Sequence, residues 1–316
     1  MSSSAWAMGI GRATEGTPPS AGELVEVGED VFAYLQPDGS WFINNAGVVR
    51  CGDVLLHVDS AATVRRTQAL LDATRQLGEP ARRLLVVTHH HGDHTNGNAT
   101  VAPELVIAQR NVAEELRTAI LVPPAGVFTP VEWGTIEVRE PDVLFDRSLA
   151  LRLGGVEAEV HWAGRAAHTL GDSVVWLPAQ RVLFAGDLVF VGGTPFALGG
   201  SVRGWLEALP WLRSFDAAVV VPGHGSLASP SDLDAVERYL RFVWRVAEDA
   251  QRAGVGPLEA ARSVDLGEFG SWLDAERLVG NLHRALAELE GREVHVLEAF
   301  ADMIAYNGGR PLTCHA

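Results

Sequence analysis

Residues 87 to 98 read VTHHHGDHTNGN and place His89, His90, His91 and His94 within six positions, with Asp93 among them. The whole chain holds 11 histidines, so this is a marked concentration. Histidines two apart at a strand end can aim both rings at one cation. Asp93 and His94, beyond the turn at Gly92, can face a second. Imidazole mixed with carboxylate suits zinc, whereas calcium and magnesium favour all-oxygen shells. A lone loop histidine is ordinarily just an exposed polar residue. The run H-x-H-x-D-H, by contrast, has the ligand number and spacing that a metal requires. Two ions need further ligands, and three later strand ends offer them: His168 in AAHTLGD, Asp187 in LFAGDLVF and His224 in VPGHGS.

The elements that position these groups follow from hydropathy patterning. LVEV and VFAYLQ read as strands leading to a PDGS turn and then to WFINNAGVV. DVLLHVD is a buried strand ending at Asp59. Val64, Leu70, Leu71 and Leu77 recur at helical spacing after it, up to a Gly-Glu-Pro stop. RRLLVVT is a second buried strand, and the histidine cluster sits at its C-terminal end. SVVWLP and RVLFAGD pair as a hairpin, and AAVVVPGHG is a strand ending in His224. This is a layered α/β pattern with polar strand ends, where sites collect. After residue 228 the character turns helical, with Ser229 as N-cap and Pro230 at the first helical position. Helices are also expected in SWLDAERLVGNLHRALAELEG and EVHVLEAFADMIAYNGG. The expected organisation is a lead-in over residues 1–22, a catalytic α/β domain over 23–228 and a helical appendage over 229–316.

Composition narrows the chemistry. With 47% hydrophobic and 21% charged residues the chain is an ordinary globular one. It contains no lysine, which removes any Schiff-base mechanism, and its net charge is -15. Phosphate-rich nucleic acid wants a basic surface, so no nucleic-acid partner is expected. No run approaches the ~18 apolar residues of a membrane helix. Cys51 and Cys314 are too few for a disulfide framework, and the N-terminal stretch lacks the pattern of an export signal. The expectation is therefore a soluble, cytoplasmic protein.

The motifs HHHGDH, His168, Asp187 and His224, in this order and each after a β-like run, resemble the metallo-β-lactamase superfamily over roughly residues 23 to 228. The resemblance implies an αβ/βα four-layer sandwich with two zinc ions in the cleft between its sheets. It further implies that His89, His91 and His168 hold the first zinc, that Asp93, His94 and His224 hold the second, and that Asp187 bridges them. Asp59 matches the family's first motif and would orient a ligand by a hydrogen bond; a helix N-terminal role alongside Ser60 accounts for it equally well. Iron-using relatives carry Glu where this chain has His91, and neither cysteine occupies a ligand position. His57, His90, His161, His283, His295 and His315 are expected to be structural or solvated, with His90 turned away from the metals. Two zinc ions would lower the pKa of water from about 15.7 toward ~7 and polarise a substrate oxygen. Asp93 would take and pass on the proton. Attack on an ester, thioester, amide or phosphoester is the expected reaction.

Substrate choice must lie in the loops. PDGSWFINNAG, VFVGGTPFALGGS and AYNGGRPL supply Trp41, Phe42, Phe190, Phe196 and Tyr306, with amides from Asn44, Asn45 and Asn307. Of these, Trp41, Asn44, Phe190, Phe196 and Tyr306 are the foremost candidates for substrate contact, ordinary packing being the alternative for each. The same stretches resemble an actinobacterial group that includes the second-ring cyclase/thioesterases of actinorhodin-type polyketide pathways. That resemblance implies a polyketide thioester on an acyl carrier protein, ring closure and thioester cleavage. Rival readings are a glyoxalase-II-like or lactone hydrolase, a β-lactamase, and a binding module without catalysis. Leu240, Val243, Trp244, Val246 and Ala247 share a helical face that either packs on the chain's own sheet, the favoured reading, or forms a homodimer. Arg238, Arg241 and Arg245 offer a weak basic dock for an acidic carrier.

Overall fold

The apolar runs are long because both faces of their strands are covered. The computed structural model describes residues 22–120 and 122–316. The expected lead-in, but for its last residue, lies outside that range.

The first sheet has seven strands in sequential order. β1 (Glu23–Gly28), β2 (Val31–Leu35), β3 (Ala46–Cys51) and β4 (Val54–Val58) run antiparallel. Parallel pairing then joins β4 to β5 (Arg82–Val87), β6 (Leu105–Gln109) and β7 (Val143–Phe145). Helix α1 (Val64–Thr74) makes the crossover from β4 to β5; the short helices α2 (Gly92–Thr95) and α3 (Asn98–Val101) precede β6, and α4 (Arg110–Leu116) follows it. Thr63 caps α1 by accepting the Arg66 N–H on its hydroxyl.

The second sheet has five strands. β8 (Ser148–Leu153), β9 (Val156–Trp162), β10 (Ser173–Leu177) and β11 (Val182–Phe190) are antiparallel neighbours, and β12 (Val219–His224) joins β11 in parallel through α5 (Val202–Arg213). The expected hairpin of SVVWLP with RVLFAGD is β10–β11. WFINNAGVV is only half strand, because β3 starts at Ala46 and the residues before it form a turn.

Alternation sorts each side chain to one layer. Leu84 and Val86 of β5, with Val49 and Leu56, meet Val160, Val175, Phe184 and Val221 of the other sheet in the inter-sheet core. Leu85 and Val87 point the opposite way, onto Val112 and Leu116 of α4. Leu55 and Val48 pack on Leu70 of α1. Each such fully buried leucine or valine contributes about 1.5–3 kcal/mol. The architecture is the αβ/βα sandwich that the sequence predicts.

The C-terminal helices are α6 (Pro230–Ala253), α7 (Pro257–Ser263), α8 (Arg277–Glu290) and α9 (Val296–Tyr306). Ser229 and Asp232 form a capping box on α6, with Pro230 at its first turn. α8 starts later than the periodicity predicts, since Asp274 takes a left-handed φ of 57°. Leu240, Val243 and Ala247 are buried in one core with Leu188, Phe190, Trp205 and Leu282, so that face of α6 packs within its own chain. Arg238 and Arg241 pair with Glu268 and Glu237, which leaves little of the basic dock. No helix among the described residues is long and apolar enough to cross a membrane. Cys51 and Cys314 are both buried and unpaired.

Candidate metal centre

Two strand ends, one strand interior, one loop and one helical turn converge on a single point. Thr88 and His89 follow β5 directly, and His91 caps α2, whose single turn carries Asp93 and His94. Asp187 lies within β11 and His224 ends β12, while His168 comes from the loop between β9 and β10. The donor atoms form two groups, His89, His91, His168 and Asp187 in one, Asp93, His94 and His224 in the other, each within 4.8 Å of one another.

Asp187 touches members of both. Its Oδ1 is 3.0 Å from His94 Nε2, and its Oδ2 is 3.2 Å from His168 Nε2 and 3.4 Å from His224 Nε2. Asp93 Oδ2 stands 3.2 Å from His224 Nε2, and His168 Nε2 is 2.8 Å from His91 Nδ1. Gly223 makes room for this carboxylate: a Cβ there would fall 1.9 Å from Asp187 Oδ1.

The remaining ring nitrogens are held from behind. His94 Nδ1 meets Asp59 Oδ2 at 2.8 Å, His89 Nδ1 meets Thr88 Oγ1 at 3.0 Å, and His224 Nδ1 donates to the Gly39 carbonyl at 3.1 Å. His168 Nδ1 donates to the Phe196 carbonyl. Such partners fix ring orientation and leave the opposite nitrogen as the donor to an ion. Phe190 lies flat on the His224 ring, 4.9 Å between centroids. Gly39 reaches His224 from the Pro-Asp-Gly turn with φ 70°, and a Cβ on it would meet the Gly225 nitrogen at 2.4 Å.

Electrostatics divide the rings. Burial drives His89 and His91 well below the usual histidine range, reinforced by neighbouring imidazoles. Burial also opposes charge on His94 and His224, but the surrounding carboxylates outweigh it; His94 is held well above its usual value and His224 at about 9. Asp187 stays ionised despite burial because His224, His94 and His168 face it. Buried His89 Nε2, His94 Nε2 and Asp187 Oδ1 make no well-aligned hydrogen bond, although the last two stand 3.0 Å apart. Orphaned buried donors of this kind, all imidazole or carboxylate, fit a pair of divalent cations such as zinc.

A cavity of about 490 Å³ opens from these groups. Its length of wall is aromatic, with Trp41 edge-on to Phe128 at 5.2 Å and to Phe196 at 5.0 Å.

The description "Metallo-beta-lactamase superfamily" matches residues 39–224. The chain belongs to that superfamily. Among metallo-beta-lactamase-fold structures, a metallo-beta-lactamase from Pontibacter korlensis aligns with TM-score 0.57 at 23% identity, over 69% of this chain and 98% of that one. A 2,4-dinitroanisole O-demethylase subunit alpha from Nocardioides sp. is 27% identical over 76% of this chain and 66% of its own length. A linear primary-alkylsulfatase from Pseudomonas sp. is 25% identical over 62% of this chain and 43% of its own. The chain thus spans under two thirds of either curated relative. Neither relative is named for a polyketide.

The structure brings His89, His91, Asp93, His94, His168, Asp187 and His224 together, with Asp59 behind His94. The Asp59 φ of 61° lets it reach both His94 and the Thr88 N–H. His90 turns to Glu115, 3.2 Å away. Trp41, Phe190 and Phe196 line the cavity, but two expected substrate contacts do not. Asn44 is fully buried; its amide donates to the Ser60 and Asn45 carbonyls and accepts from Gln36, so it braces the turn before β3. Tyr306 is half-buried against the helical core, off the cavity lining. Asn307 is used on the Arg310 and Pro311 carbonyls. Sequence reasoning missed Phe128, Phe300 and Arg277, which do line the cavity. Thr88, which closes the RRLLVVT run, was also missed, and Phe128 sits in a loop without periodicity to mark it.

Proposed function

We propose that this protein is a dinuclear zinc hydrolase. His89, His91 and His168 would hold one ion and Asp93, His94 and His224 the other, with Asp187 placed to serve both groups. The observation that carries this reading is the position of Asp187, whose two carboxylate oxygens face members of both donor groups. The chemistry such ions would supply is Lewis-acid polarisation of a substrate carbonyl oxygen and a lowered pKa for water.

The chain's own groups do the rest. Asp93, whose Oδ2 stands 3.2 Å from His224 Nε2, would accept a proton from the attacking water and return it to the leaving group. For a thioester, water adds to the acyl carbon, the carbon–sulfur bond breaks, and the products are an acid and a thiol. Asp59, Thr88 and the Gly39 and Phe196 carbonyls keep the rings in one tautomer and orientation.

The finer reading is a polyketide cyclase/thioesterase, which closes a ring and cleaves an acyl-carrier thioester. Its support is the aromatic wall of Trp41, Phe128 and Phe196 and the volume of the cavity. The relatives' named substrates, 2,4-dinitroanisole and linear alkyl sulfates, likewise join an apolar body to an oxygen-linked bond. A β-lactamase reading rests on the shared fold. The test is zinc analysis together with a panel of an acyl thioester, S-lactoylglutathione, nitrocefin and a monocyclic octaketide thioester. Two zinc ions per chain and thioester turnover that a chelator abolishes are expected. Bicyclic or free-acid product from the octaketide supports the finer reading; its absence beside turnover of the simple thioester removes it. No bound metal and no hydrolysis would overturn both.

A further inference from the structure

The wall of the cavity beyond the donor groups is mostly apolar, with Glu115, Thr118, His90 and Arg277 as its polar members. Trp41, Phe128, Phe196 and Phe300 form a continuous edge-to-face cluster, with Phe300 6.3 Å from Phe128 and 6.4 Å from Phe196. At the mouth, Ile120 is 65% exposed and Leu297, on the first turn of α9, is 76% exposed. Val296 beside it is 47% exposed. Large apolar side chains held in water around a cavity mark a surface meant to be covered.

The fixed cation of this wall is engaged by protein groups, although its buried Nε makes no hydrogen bond. Arg277 is the one arginine among the described lining residues. It is buried under the Trp41 ring at 4.1 Å, pairs with Asp274 at 3.0 Å and donates to the Thr194 carbonyl at 2.9 Å. Glu115 faces His90. An anionic group on the outer part of a substrate would lose hydration here and meet a single arginine already paired with Asp274.

Building on the hydrolase reading, we propose that the part of the substrate lying outside the donor groups is an uncharged apolar chain or ring system. It runs along Trp41, Phe196 and Phe300 and ends between Ile120 and Leu297. The wall is continuous with the donor groups in a single cavity, which makes the substrate's own tail the occupant.

The test uses the zinc-loaded enzyme and p-nitrophenyl esters from acetyl to decanoyl, each compared with its ω-carboxylate. kcat/KM is expected to rise about fourfold per fully buried methylene, and an ω-carboxylate to lose at least about tenfold against its neutral counterpart, given the cost of burying an unpaired charge. Leu297→Ser and Ile120→Ser should flatten the gain for the longest chains. Binding supplies a readout independent of turnover: N-phenyl-1-naphthylamine should bind the wild type about tenfold tighter than Leu297→Ser, a loss consistent with covering one exposed leucine on binding. If no ester is turned over, the hydrolase reading fails while this titration still decides the inference. Rates indifferent to chain length, ω-carboxylates as good as neutral esters, or probe binding unchanged in both variants would overturn it. So would a dimer that Leu297→Ser disrupts without altering probe binding, which would assign the rim to a second copy.

Discussion

Asp59 Oδ2 and His94 Nδ1 stand 2.8 Å apart in a fully buried setting, while Asp59 Oδ1 accepts the Thr88 N–H at 2.7 Å. One carboxylate therefore fixes the tautomer of a donor ring and the backbone that leads into the histidine cluster. Asp59→Asn keeps the shape but removes the charge, and its amide can turn an N–H toward His94. Zinc affinity at the site holding His94 should fall about 10–100-fold. Titration against a chromophoric chelator checks this; two unweakened sites would mean that Asp59 serves only the backbone.

Gly223 and Asp187 cannot both keep their places once residue 223 has a side chain. Gly223→Ala puts a methyl 1.9 Å from Asp187 Oδ1 and 2.7 Å from the Gly186 carbonyl carbon. The expected cost is about 1–3 kcal/mol, with loss of stoichiometric zinc. Gly256→Ala, where nothing lies within 4 Å, is the control. Urea unfolding and metal analysis of both variants settle it.

Metal should stabilise the folded chain, because the unfolded one has no assembled site. At free zinc a thousandfold above Kd the gain is about 4 kcal/mol. Calorimetry should show Tm rising with zinc and returning with chelator. In Asp187→Ala, which strips a contact from both donor groups, most of that rise should vanish.

His57 sits inside β4 with both ring nitrogens unpartnered. Burial, helped by Arg83, lowers its pKa from 6.5 to about 4. Between those values the unfolded chain takes up a proton that the native one refuses. The stability is thus complete above pH 6.5 and is lost as pH falls toward 4, by about 2 kcal/mol at pH 5. His57→Leu should remove that part of the acid limb. Urea unfolding of wild type and variant at pH 7.5 and 5 gives the difference directly; parallel curves would refute it.

Asn281 ties the helical segment to the site. It accepts the Ala197 N–H at 2.7 Å and donates to the Pro195 carbonyl and the Tyr239 hydroxyl. The loop it holds carries the Phe196 carbonyl that orients His168. Asn281→Ala should destabilise by about 2–4 kcal/mol and also weaken zinc binding, measurable by the same two assays.

Sequence by itself determined the layers and the donor set. Leu84 to Val87 alternate between two buried faces, and that pattern is complete within one strand. The histidine and aspartate positions were legible because ligand chemistry tolerates few residue types and their spacing is local, beside or within apolar runs. What the tertiary structure alone decided is which neighbours those residues meet. Asn44 and Trp41 lie in the same turn, yet one braces Ser60 and the other faces the cavity. Phe128, Arg277 and Phe300 join Trp41 from distant segments, and the stretch 127–129 is itself pinned by backbone bonds to Leu312. Local periodicity is set by a few adjacent residues, whereas a cavity wall is a joint product of chain segments that meet only when the core closes.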